Sequence, residues 1–149
     1  MPQQIRIANW LLEVDVEKTR EFYNKGTEVC KCLYCNNFIE ACKQLDTAVA
    51  SIFISLGIDP AMPGHLSDQT MEDGLREYMG NYHLVGTVLE GEVCTPSNWK
   101  DTNTVQIKNF TLGFSKVLDV VPEGSPSPVL QLEFVASIPW VLEEQPDDI

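Results

Sequence analysis

The sequence predicts an α+β fold: one long helix packed on a mainly antiparallel sheet, plus a short second helix. Three observations carry that expectation. An apolar stripe recurs at spacings of three and four from Phe38 to Leu56, directly behind a knot of thiols at Cys30, Cys32 and Cys35. Apolar and polar residues alternate from Leu130 to Leu142. Connections between successive strand-like segments are short, which favours antiparallel pairing.

Composition sets the frame. The chain has 149 residues, 44% of them hydrophobic. That suits one compact domain over residues 1–149, long enough to bury a core without staples, with residues 143–149 as a solvated acidic tail. No apolar run approaches the ~20 residues of a membrane span. The opening MPQQIRIANW has no basic segment leading into an apolar one, so no signal peptide is expected. The five cysteines are an odd number, and three of them fall within six residues. Reduced thiols in a cytoplasmic protein are therefore expected. Ten basic against 22 acidic side chains give a formal charge of −12. Nucleic acid and anionic membrane surfaces are disfavoured as partners. A basic protein partner, or plain solubility, fits the charge.

Taken in order, Ile5 to Val16 comes first. Ala8, Trp10, Leu12, Val14 and Val16 share one parity, as in a strand. Glu17 to Arg20 is polar, and Asn24-Lys25-Gly26 signals a turn. Thr27 to Leu33 is expected as a short returning strand, with the cysteines at its exit. Asn37 then reads as an N-cap, with Glu40 three residues on as in a capping box. Phe38, Cys42, Leu45, Val49, Ile52 and Leu56 form the stripe, widened by Ala41, Ala48 and Phe53. Gly57 is the stop, with Pro60 beyond it. A helix over Phe38–Leu56 would run roughly 28 Å.

Ile58 to Gln69 reads as a loop. Thr70 with Asp73 suggests a second capping box, and a short helix over Met71–Met79 that Gly80 ends. The remainder reads as sheet. Asn81–Glu90 is apolar without clean alternation. Gly91–Asn103 is a polar connection. Val105–Val121 switches parity, which a bulge near Lys108-Asn109 would reconcile. The loop Pro122–Pro128 follows, then the strand Val129–Leu142 with one apolar and one wet face. No internal repeat and no interdomain linker is visible.

The thiols carry what chemistry the sequence offers. Zinc takes four ligands in a tetrahedron, commonly thiolates and imidazoles. Cys30, Cys32 and Cys35 supply three, with the Cys32–Cys35 spacing of a zinc knuckle. Cys94, His65 or His83 would have to supply the fourth. Cys42 lies on the helix stripe and reads as a small buried hydrophobe. Cys32-Leu-Tyr-Cys35 also has the spacing of a redox pair, but a cap at Asn37 would place the helix start five residues past Cys32. Ordinary reduced cysteines with no ligand are the plainer alternative.

His65 and His83 have no evident carboxylate partner and read as structural. Trp10, Trp99 and Trp140 read as core or rim. There is no nucleophile elbow, phosphate loop or dinucleotide fingerprint. The expectation is a small soluble binding or interaction protein of unspecified ligand or protein partner. A structural Zn2+ site would sit at Cys30, Cys32 and Cys35, and no catalytic residue is assigned. One alternative is an acidic, immunity-type neutralising partner of a basic protein, resting on the charge of −12. The other is a thiol-dependent enzyme or redox protein using Cys32 and Cys35, with Cys35 as its nucleophile.

Overall fold

A computed structural model describes residues 2–25, 32–70, 75–95, 98–116 and 128–143. Among these residues seven strands, β1 (Gln3–Ile7), β2 (Trp10–Val14), β3 (His65–Thr70), β4 (Leu75–Glu90), β5 (Val105–Ile107), β6 (Phe110–Ser115) and β7 (Val129–Pro139), form one sheet in the order β1-β2-β4-β7-β6-β5, with β3 also on β4. All the strand pairs described are antiparallel. Three α-helices accompany the sheet among the described residues.

The first segment is a hairpin rather than one strand. β1 (Gln3–Ile7) turns through Ala8-Asn9 into β2 (Trp10–Val14). Ala8 holds φ at +51°, a conformation normally left to glycine, which is why composition did not reveal the turn. The same device recurs at Lys108, at φ +56°, between β5 (Val105–Ile107) and β6 (Phe110–Ser115). There the parity switch marks a hairpin turn and not a bulge. Both turns spell Ile-x-Asn-aromatic: Ile7-Ala8-Asn9-Trp10 and Ile107-Lys108-Asn109-Phe110.

α1 (Val16–Asn24) occupies the stretch whose polar residues and turn signal suggested no helix. Asp15 caps it, accepting from the Lys18 amide at 3.0 Å. Val16, Thr19 and Tyr23, spaced three and four apart, form its buried stripe.

The long helix expected over Phe38–Leu56 is broken. α2 (Leu33–Ala41) runs into a 3-10 turn at Cys42–Gln44, Leu45 is extended, and α3 (Thr47–Leu56) starts afresh. Asp46 makes the break. Its carboxylate accepts from the Ala48 amide at 2.9 Å, an N-cap bond that a continuous helix would forbid. Gly57 stops α3 as expected, at φ +82°. The short helix over Met71–Met79 is also corrected. Residues 71–74 lie outside the described residues, and Leu75–Met79 begins β4 (Leu75–Glu90). Gly80 lies inside that strand. Alternation of Tyr78 inward and Met79 outward is the signal that the capping-box pattern overrode.

β4 is the spine. One edge pairs with β7 (Val129–Pro139) from Leu75 to Val85. The other pairs with β3 (His65–Thr70) over Arg76–Asn81 and with β2 from Gly86 onward. Between those two stretches α1 supplies the missing partners. Tyr23 Oη donates to the His83 carbonyl at 2.8 Å and accepts from its amide at 3.1 Å. Thr19 Oγ1 accepts from the Val85 amide at 3.0 Å, and the Asp15 amide donates to the Val85 carbonyl at 2.8 Å. The buried backbone is thus satisfied without a strand.

The predicted β7 alternation holds on the helix side. Leu130, Leu132, Phe134, Ala136 and Ile138 are all buried. Phe134 is the hub, with ring centroids 5.2 Å from Tyr82, 5.6 Å from Phe38 and 5.8 Å from Phe110. Phe53 of α3 meets Tyr82 at 5.0 Å. Trp10 and Phe114 touch at 5.0 Å although β2 and β6 lie three strand spacings apart, roughly 14 Å along a flat sheet. The sheet is therefore curled around the core. Among the described residues, no helix is long and apolar enough to cross a membrane.

Candidate thiol site at the start of α2

Cys32, not Asn37, is the N-cap of α2. Its backbone is extended, at φ −67° and ψ 165°, and its Sγ accepts from the Cys35 amide at 3.4 Å. The Cys32 carbonyl takes the first helical bond, from the Asn36 amide at 2.9 Å. A cysteine at the cap puts its sulfur over the helix's first turn, where the amide of the third helical residue points out. Cys32 is exposed, whereas Cys35 is 8% exposed and faces inward. Cys30, two residues upstream, lies outside the described residues, as does most of the strand expected over Thr27–Leu33, whose last two residues are instead the cap and first residue of α2.

The first turn of α2 is anchored on several sides. The Tyr34 carbonyl accepts from Tyr78 Oη at 2.7 Å. The Tyr34 ring lies 4.4 Å from the Arg76 guanidinium carbon, and Trp140 lies 5.5 Å from the same carbon. Arg76 is only 4% exposed, so these ring faces stabilise a desolvated cation. Asn37 is fully buried and works as a clamp. Its Nδ2 donates to the Pro139 carbonyl at 3.2 Å and to Tyr78 Oη at 3.3 Å, while its Oδ1 accepts from the Val141 amide at 2.7 Å. The end of β7 is thereby fastened to α2.

The other thiols are elsewhere. Cys42 donates to the Pro60 carbonyl at 3.5 Å, and burial, with Asp59 nearby, pushes its thiol up to about 12. It is a packing residue, as its place on the stripe suggested. Cys94 is buried against Gly113, where an added Cβ would lie 2.9 Å from its Sγ. Burial, with Glu133 adding to it, pushes the Cys94 thiol up to about 11. Gly113 belongs to the sheet face opposite Leu112 and Phe114, so Cys94 is separated from α2 by the sheet. Cys94 therefore does not complete a ligand set with Cys32 and Cys35.

His83 is on that outer face too. Its Nε2 lies 3.0 Å from Gln131 Oε1, and Gln131 Nε2 donates to Glu133 Oε1 at 2.7 Å. Because the amide donates to Glu133, its oxygen faces His83, which assigns the imidazole proton to Nε2. Alternation along β7 predicts a wet face at Gln131 and Glu133. They are 0% and 7% exposed, respectively. Asn81 Oδ1 lies beside His83 against Gly64 and is buried with no hydrogen-bond partner among the described residues. The network is structural in form, since it fixes side chains across β4 and β7.

Among the described residues, no group of three or more Cys, His, Asp or Glu side chains stands ready to hold a metal ion. Cys32 and Cys35 bring two thiols to one helix end. Arg76 and Trp140 beside this end are not visible in the sequence, because a helix starting at Asn37 leaves their partner Tyr34 outside it. No protein-family model, no curated protein and no solved structure matches the chain.

Proposed function

We propose that the protein is a small binding protein that holds zinc through the thiolates of Cys30, Cys32 and Cys35 at the capped end of α2. The observation that carries this reading is the Cys35 amide directed at Cys32 Sγ, 3.4 Å away. An amide donor on sulfur is the outer-shell contact that orients a ligating thiolate and tunes its charge. The anchored first turn supports the reading further, since a metal site needs ligands held by rigid neighbours. Three thiolates leave one tetrahedral position for water or for an exogenous ligand. Binding of an exogenous ligand at that open position is the role this reading gives the protein.

The test is metal analysis of protein purified under reducing conditions. The expected result is about one equivalent of zinc, falling to near zero in Cys30→Ser, Cys32→Ser and Cys35→Ser. Less than about a tenth of an equivalent in the unaltered chain, with a melting temperature that chelation leaves unchanged, sinks the proposal.

A further inference from the structure

We infer that Cys32 and Cys35 also form a reversible disulfide by exchange with low-molecular-weight disulfides such as glutathione disulfide. The inference shares its sulfurs with the zinc reading but does not require the metal. It rests on the contrast between the two thiols. Cys32 is exposed at the cap, where a small disulfide can reach it. Cys35 is 8% exposed and one turn on, where only a neighbouring sulfur can. That is the division between an entry thiol and a resolving thiol.

The geometry permits closure without unwinding the helix. Cys32 Sγ stands 3.4 Å from the backbone nitrogen of Cys35, over the turn that carries the second sulfur. On helical geometry Cα atoms three residues apart lie ~5 Å from each other, inside the Cα range a disulfide spans. Cys42 and Cys94 are poor competitors, since burial holds both as thiols.

The exchange has two steps. The Cys32 thiolate attacks one sulfur of glutathione disulfide, forming a mixed disulfide and expelling one glutathione thiolate. The Cys35 thiolate then attacks Cys32 Sγ and expels the second. One dithiol and one glutathione disulfide become one protein disulfide and two glutathione molecules, which carry away the two protons. Tyr34 lies between the two cysteines, and its ring centroid is 6.0 Å from Trp140. Closure of the first turn is therefore expected to alter the environment of Trp140 and with it the end of β7.

The experiment incubates the full chain, stripped of metal by a chelator, in defined mixtures of reduced and oxidised glutathione. Alkylation quenches the exchange, and peptide mapping locates the products. The expected product is a Cys32–Cys35 disulfide that reduced glutathione reverses. Cys35→Ser should accumulate the mixed disulfide on Cys32. Cys32→Ser should slow the oxidation of Cys35 at least ~10-fold. Persistence of both thiols in the unaltered chain overturns the inference. So does a stable mixed disulfide on Cys32 with Cys35 intact, or a disulfide that joins either residue to Cys30 instead. Zinc measured on a separate, unchelated sample keeps the two proposals apart. Disulfide without zinc removes only the metal reading, and zinc without disulfide removes only this one.

Discussion

Replacing Asn37 by Asp separates a clamp from a cap. At an N-cap Asn and Asp are interchangeable, and Asp adds a favourable charge at the helix start. In the fold Asn37 is fully buried and gives two hydrogens, to the Pro139 carbonyl and to Tyr78 Oη. A carboxylate keeps the contact with the Val141 amide but donates nothing. It also sets an anionic oxygen against the Pro139 carbonyl. Two lost bonds at ~1 kcal/mol each and the buried charge give a destabilisation of about 3 kcal/mol. For a chain of this size that corresponds to a melting temperature lower by about 8 °C. Burial raises the pKa of a carboxyl above its unfolded value of ~3.9. The ionisation penalty is therefore full above the raised folded value and disappears as pH falls toward the unfolded one. Denaturant unfolding of Asn37→Asp and the unaltered chain, at pH 7 and again at pH 5, should show the gap narrowing at the lower pH. At the true cap the sign reverses. Cys32→Asp in metal-free protein should gain roughly 0.5–1 kcal/mol. An Asn37→Asp chain as stable as the original at pH 7 would refute the assignment of Asn37 as a clamp.

Three further outcomes are expected. Tyr23→Phe removes the hydroxyl that serves both the amide and the carbonyl of His83, and should cost about 2–4 kcal/mol in denaturant unfolding; a loss under ~0.5 kcal/mol would mean that water replaces it without penalty. Ala8→Gly and Lys108→Gly relieve positive φ in the two hairpin turns, and each should raise the unfolding midpoint by an amount worth roughly 0.5–1 kcal/mol. An unchanged or lower midpoint for both would contradict the strain. In metal-free, reduced protein an alkylating reagent should modify Cys32 before Cys35 and leave Cys94 untouched until denaturant is added; early labelling of Cys94 would contradict its burial.

Side-chain period was the legible part of this fold. The inward row of β7 from Leu130 to Ile138 follows from alternation alone, and Gly57 from the rule for helix ends. Period failed where a local hydrogen bond interrupted it. The stripe from Phe38 to Leu56 runs straight through Asp46, yet one carboxylate bond to the Ala48 amide divides the helix. Asn37 shows the converse, a good capping residue recruited by tertiary partners more than a hundred positions away. Both hairpin turns escaped notice because Ala8 and Lys108 adopt a backbone that sequence reasoning reserves for glycine. Alternation also names a face without saying what covers it, so Gln131 and Glu133 looked wet. At the thiols, spacing brought Cys32 and Cys35 to notice. The misplaced cap at Asn37 hid that Cys32 itself starts the helix, and with it the anchoring of Tyr34 by Arg76, Tyr78 and Trp140.

X-ray absorption at the zinc edge of the reduced, full-length protein tests the central claim most directly. Thiolate ligation by Cys30, Cys32 and Cys35 predicts a shell of three sulfurs at about 2.3 Å with one lighter atom. A shell of nitrogen and oxygen alone, or no bound zinc at all, would contradict it.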